Sequence, residues 1–244
     1  MRNSRQQFFW SVSFLIFLAI GGEKCTKMST TVANGLGVVT YVSIMNLAPY
    51  APTVDIYLND TLASPLGGIP PGKYSTQYGA VRPGVYDVKF KKTGTDSLID
   101  DIPASSFDTA NFYTLILYNT HPGGGAAAAI KIHDDFSQVS PASANYRFLN
   151  LSPDVPAVDL YFDSTIRQSS QTPAANTANF VSTAAFQPIA PATYTLQIKA
   201  SGTDSVLASL NGVILTAGNV YTIFLSGKDW YANNLSINVL TAIY

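Results

Sequence analysis

Three blocks of sequence occur twice in this chain of 244 residues, each time in the same order. NLAPYAPTVDIYLND begins at Asn46 and NLSPDVPAVDLYFDS at Asn150. This aligns Asn46 with Asn150, Pro49 with Pro153, Pro52 with Pro156, Asp55 with Asp159 and Tyr57 with Tyr161. RPGVYDVKFKKTGTDSL then meets APATYTLQIKASGTDSV, aligning Pro83 with Pro191, Tyr86 with Tyr194, and Gly94 to Ser97 with Gly202 to Ser205. DTANFYTLILY meets TAGNVYTIFLS, aligning Asn111 with Asn219 and Tyr113 with Tyr221. A period of about a hundred residues is longer than the roughly 20–50 of a solenoid unit and has the size of a domain. The expectation is two copies of one module, over 38–136 and 145–244, joined through the polar stretch Asp134 to Ala144 with Ser137, Ser140, Pro141 and Ser143.

Each copy reads as short strands separated by turns. Val54, Ile56 and Leu58 alternate with Asp55, Tyr57 and Asn59, the period of a half-buried strand. Further strands are expected in the first copy at Val38 to Leu47, Lys73 to Val81, Gly84 to Lys91, Ser97 to Ile102, Phe112 to Tyr118 and Ala126 to His133, with the apolar Phe112 to Tyr118 central. In the second they are expected at Tyr146 to Leu151, Ala157 to Phe162, Asn179 to Ala185, Tyr194 to Ala200, Val206 to Leu210, Val220 to Leu225 and Leu235 to Leu240. About seven strands per copy is the count of an immunoglobulin-like β-sandwich. The expected fold class is therefore all-β, two tandem immunoglobulin-like sandwiches. Charged residues make up 12% of the chain, and the net charge is −1 without a cluster of either sign. A nucleic-acid partner, which calls for a basic stripe, is not expected.

An apolar strand followed by NLSPDVPAVDLYFDS, a P-x-x-Y strand and a Y-T-x-F strand resembles the family of domains called DUF4397. The second copy carries the pattern closely; the first has Ala48 and Tyr50 where the second has Ser152 and Asp154. The resemblance covers nearly the whole chain past residue 37. It implies exported, often surface-anchored immunoglobulin-like modules, frequently in lipoproteins of the Bacteroidetes type, and no enzyme activity.

The N-terminus fits that expectation. Arg2 and Arg5 precede an apolar run from Phe8 to Ile20, interrupted by Ser11 and Ser13, and Gly21 and Gly22 follow. The expectation is a signal peptide over 1–25, with a tether over 26–37, since the run is shorter than the roughly 20 residues of a spanning helix. Cys25, the single cysteine, is the candidate lipidation site, although Lys24 stands where the lipoprotein pattern has a small residue. With one cysteine the chain forms no internal disulfide, so its stability rests on its core.

Reactive constellations are sparse. Asn150, Asp154 and Asp159 offer oxygens for a hard cation, but the acids are few and the prolines around them build turns. The expectation is that Asn46 and Asn150 hold turns through side-chain-to-backbone bonds, with Asp55 and Asp159 on an outer strand face. His133 precedes Asp134 and Asp135, a conceivable acid–base pair, but reads as a strand end entering the linker. No G-x-S-x-G motif or paired glycosidase carboxylates are found, and the loop Pro122 to Gly125 lacks the Lys and helix of a phosphate cradle. Trp230 and Tyr231, in a loop near the end of the second copy, are candidate ligand-contact residues; the alternative is that Trp230 caps the core. Asp followed by Ser or Thr at Asp60, Asp96, Asp108, Asp163 and Asp204 resembles an O-glycosylation acceptor pattern, and is also ordinary turn chemistry. The function expected is that of a non-catalytic, exported cell-envelope module without cofactor or metal. It would bind an envelope protein or a glycan at the outer membrane, cell surface or periplasm, with anchorage through an N-terminal lipid. The alternative is an accessory saccharide-binding lipoprotein of a nutrient-uptake system.

Overall fold

Period-two alternation builds the strands. In β2 (Val54–Leu58), Val54, Ile56 and Leu58 enter an apolar core with Val88 and Phe90 of β6 (Gly84–Lys92), while Asp55 and Tyr57 turn to the opposite face. The computed structural model describes residues 38–173, 185–228 and 234–242. Over these residues the chain is all-β and sandwich-like, with no helix.

The first half contributes β1 (Thr40–Asn46), β2, β3 (Thr61–Leu62), β4 (Lys73–Tyr74), β5 (Gly79–Val81), β6, β7 (Leu98–Phe107), β8 (Phe112–Asn119) and β9 (Ala127–His133). They form one sheet in the order β4-β1-β8-β9, with β5 also on β1, and a second in the order β3-β2-β6-β7. The second half contributes β10 (Ala144–Asn150), β11 (Val158–Phe162), β12 (Thr165–Gln171), β13 (Gln187–Ile189), β14 (Ala192–Ala200), β15 (Val206–Leu215), β16 (Val220–Ser226) and β17 (Ser236–Ala242). Its sheets run β13-β10-β16-β17 and β12-β11-β14-β15, the same order with β13 in the place of β5 and, among the described residues, no strand in the place of β4. β1 pairs with β8 in parallel, Tyr41 opposite Phe112, and β10 pairs with β16 in parallel, Asn145 opposite Val220. Among the described residues, the other ladders in both halves are antiparallel. As expected, β8 is an inner strand, between β1 and β9.

Each half buries its own core between its two sheets. Val42, Ile44, Phe90, Phe107 and Leu115 lie in the first, and Phe148, Leu160, Phe162, Leu196 and Ile223 in the second. A third cluster joins the halves. Met45, Leu47, Ile116 and Ile132 from the first half pack with Leu149, Leu151, Phe224 and Leu240 from the second. The sheet containing β1 is therefore covered on both faces, and so is the sheet containing β10. This explains why β10 is buried along its whole length.

The expected strand boundaries need correction in three places. Lys73 to Val81 is not one strand but two short ones, β4 and β5, both on β1. Ser97 to Ile102 is the beginning of a longer strand that runs to Phe107. Pro103 sits within this strand at the sheet edge, where no ladder hydrogen bond is required of it, and the register shifts between Tyr86 and Val88 opposite. Val206 to Leu210 likewise continues to Leu215. The strands β3 and β12 were not expected; both follow tight turns and are mostly exposed. The expected strand Asn179 to Ala185 falls almost entirely outside the described residues, with β13 beginning at Gln187.

Candidate functional site

The polar residues of the repeat hold turns. Asn46 is buried; its Nδ2 donates to the carbonyls of Pro52 (3.1 Å) and Ile69 (2.8 Å), and its Oδ1 accepts from the Ala48 amide. Asn150 does the same, donating to the Gln171 carbonyl (3.1 Å) and accepting from the Ser152 amide. Asp55 and Asp159 lie on the strand face opposite the core, and each is itself buried there beneath a turn. Asp55 accepts from the Thr93 hydroxyl (3.3 Å) and the Gly94 amide (3.2 Å); Asp159 accepts from the amides of Ser170 (2.8 Å) and Gly202 (3.2 Å). The first repeated block thus clamps the Gly-Thr-Asp-Ser turn of the second, in each half. Burial alone would raise the Asp159 pKa, but the bonds from Ser170, Ser201 and Gly202 outweigh it and hold the carboxyl below its ordinary value.

Asp154 and Tyr50 occupy equivalent positions of the repeat, and they meet. The Tyr50 hydroxyl donates to Asp154 Oδ2 at 2.7 Å, and the Gly123 amide of the glycine-rich loop donates to Oδ1 at 2.8 Å. Asp154 therefore bridges the two halves rather than joining Asp159 in an oxygen cage. Next to this bridge, the Lys228 ammonium lies 5.2 Å from the centre of the Tyr50 ring.

A cleft of about 260 Å³ opens at the seam, with Leu47, Pro49 and Gly72 on one side and Ser226, Lys228, Asn234, Ser236 and Asn238 on the other. Its polar wall is pre-organised: Asn238 Nδ2 donates to Ser226 Oγ at 2.9 Å and lies 3.1 Å from Ser236 Oγ. The ladders align Ser226 with Tyr118 and Asn238 with Ile130 of the first half. Those two side chains fill the third apolar cluster, whereas their counterparts are smaller or polar and border a cavity. The candidate site thus arises where the two copies differ.

The most buried polar group at the seam was not expected. Asp134 follows β9 and reads as the first residue of a solvated linker, yet its side chain is fully buried. Its Oδ1 lies 2.6 Å from Nη1 of Arg147, also fully buried, while Oδ2 accepts from the hydroxyls of Tyr78 (2.8 Å) and Thr114 (2.5 Å). Arg147 Nε donates to Thr222 Oγ1 at 2.9 Å, and its guanidinium carbon lies 4.7 Å from the Phe186 ring centre. Burial, then the negative charge of Asp134, push the Tyr78 phenol well above its ordinary pKa, against the opposing pull of Arg147. The sequence held one signal for this pair: Arg147 is the single charge in the strand ANYRFLN.

His133 does not join Asp134. The two point to opposite faces, and His133 Nε2 lies 3.2 Å from Asn111 Oδ1. Asp135 accepts from the Ser137 amide at 2.8 Å, and bonds from Ser137 lower its pKa, with a lesser contribution from His133. The five Asp-Ser/Thr pairs are all exposed; Asp163 Oδ1 accepts from the Thr195 amide at 2.8 Å, and Asp96 pairs with Lys91 at 3.1 Å. The signal segment, Cys25 and the Trp230–Tyr231 pair lie outside the described residues.

No curated protein matches the chain. The family model described as a domain of unknown function, DUF4397, matches residues 40–161, from the start of β1 to within β11. The match includes both Asn46 and Asn150 with their turns, and both Asp55 and Asp159. The chain belongs to the DUF4397 family.

Proposed function

We propose that this chain is a non-catalytic, exported cell-envelope protein of two tandem immunoglobulin-like domains, 38–136 and 145–244, that binds an envelope partner or a glycan. The observation that carries this reading is the cleft bordered by Ser226, Lys228 and Asn238, where the described residues bring amide, hydroxyl and ammonium groups together. Such a set orients a polar ligand without transforming it. The immunoglobulin-like assignment draws support from two repeated tyrosines. Tyr86 donates to the carbonyl of Arg82 and Tyr194 to that of Ala190, both at 2.8 Å, in the manner of the tyrosine corner of such sandwiches. Export rests on Arg2, Arg5 and the apolar run to Ile20, and anchorage on Cys25.

The test is to close the cleft with the residues of the sealed copy. A Ser226→Tyr/Asn238→Ile variant is expected to fold and to lose binding in a pull-down against outer-membrane extract and a polysaccharide panel. Binding that survives the double substitution removes the cleft from the reading.

The second reading, an accessory saccharide-binding lipoprotein of a nutrient-uptake system, is favoured by the place of Trp230 and Tyr231 in the sequence. They fall between Lys228 and Asn234, both on the cleft wall. It requires that Trp230→Ala abolish retention on polysaccharide; unchanged retention eliminates it.

A further inference from the structure

We infer that the seam is a heterospecific pairing surface. The outer face of β1-β8-β9 is built to bind the outer face of β10-β16-β17, and to reject a second copy of itself.

The apolar part of the seam is self-complementary. Met45 and Leu149 are equivalent positions of the repeat, as are Leu47 and Leu151, and all four lie in the one cluster between the halves. Tyr50 and Asp154 are equivalent as well and touch directly. Two like faces meeting through equivalent residues is the geometry of an isologous dimer, here within one chain. On these equivalent contacts alone, each half could pair with its own copy as it does with the other half, although the first half's Tyr118 and Ile130 have Ser226 and Asn238 as their counterparts.

The polar part of the seam is not self-complementary. Arg147 stands where the first half has Ser43, and the ladders align Asp134 with Ala242 of the second half. Two first-half faces would each bury an Asp134 with Ser43 in place of the guanidinium. Two second-half faces would each bury an Arg147 with Ala242 in place of the carboxylate. Only the mixed pair neutralises both charges, at 2.6 Å and in full burial. Leaving one member of such a pair alone carries a penalty of at least about a hundredfold in association. Buried charges of this kind serve as selectors of partner by making the wrong pairing costly. The partner of each half is thereby defined chemically: an apolar sheet face that presents the opposite buried charge.

The experiment uses the full chain with a protease site inserted between Gln138 and Val139, cleaved after folding. Native mass spectrometry and light scattering then read the assembly. The cleaved protein is expected to remain a one-to-one complex of unlike halves on dilution, with no dimer of like halves. In the cleaved Asp134→Ala protein the halves are expected to bind at least about a hundredfold more weakly, because Arg147 is left buried and alone. In the cleaved Asp134→Ala/Arg147→Met protein association returns, and dimers of like halves appear, because no buried charge is left to penalise the like pairing. If Asp134→Ala does not fold, the unsubstituted and doubly substituted proteins still decide the matter. Free separation of the unsubstituted halves, dimers of like halves in that sample, or a doubly substituted protein that still pairs only unlike halves would each overturn the inference.

Discussion

Asp159 links two parts of the chain 43 residues apart: a strand of the Asn150 block and the Gly-Thr-Asp-Ser turn at Gly202. Asp159→Ala leaves the Ser170 and Gly202 amides without their acceptor, and a cost of about 1–3 kcal/mol is expected in urea unfolding. The pH dependence has a definite sign. The folded carboxyl titrates below its ordinary value, so its contribution is present above pH about 3.8 and fades as pH falls through the lower folded value. Asp159→Asn should therefore narrow the gap to the unsubstituted protein in acid, read as the difference in unfolding midpoint between pH about 6 and pH about 3. Gly202 has φ 72°, and Gly202→Ala should destabilise by about 1–2 kcal/mol through backbone strain alone, since nothing crowds the added carbon. Both the Asp and the Gly were visible as repeated residues. Their contact was not, because a repeat marks positions that matter and is silent on which positions touch.

At the level of strands, legibility followed periodicity. β2, β8, β11 and β16 have strong alternating or continuous apolar patterns and fall close to where the sequence places them. β7 runs well past its expected end because LIDDIPASSF is polar and contains a proline, which reads as a loop unless the strand is known to lie at an edge. The parallel pairing of β1 with β8 left no local trace, since parallel partners share no turn. The same pairing predicts a pattern of hydrogen exchange. Amides of β8 and β16, bonded on both sides and buried from Tyr113 and from Val220 onward, should exchange slowest, and those of the exposed edge strands β3 and β12 fastest. Fast exchange in β16 would be incompatible with its place between β10 and β17.

At the scale of the molecule, four sheets stack in series, and the middle contact joins the halves through an apolar cluster and a buried ion pair. Calorimetry should accordingly show one transition for the whole chain. Arg147→Ala, which leaves Asp134 without its cation, should lower stability by about 3–5 kcal/mol and separate the halves into two transitions. This contact was the least legible feature, because Asp134 belongs by sequence to a polar linker and only its distant partner shows that it is inside. The parallel ladder also bears on how the chain acquires its shape. Tyr41 meets Ala80 on one side, but its parallel neighbour on the other is Phe112, so the first strand of each half has one edge bare until most of that half has been delivered. A chain emerging amino-end first cannot complete either half progressively. Until then each half stays incomplete, with the parallel edge of its first strand unpaired.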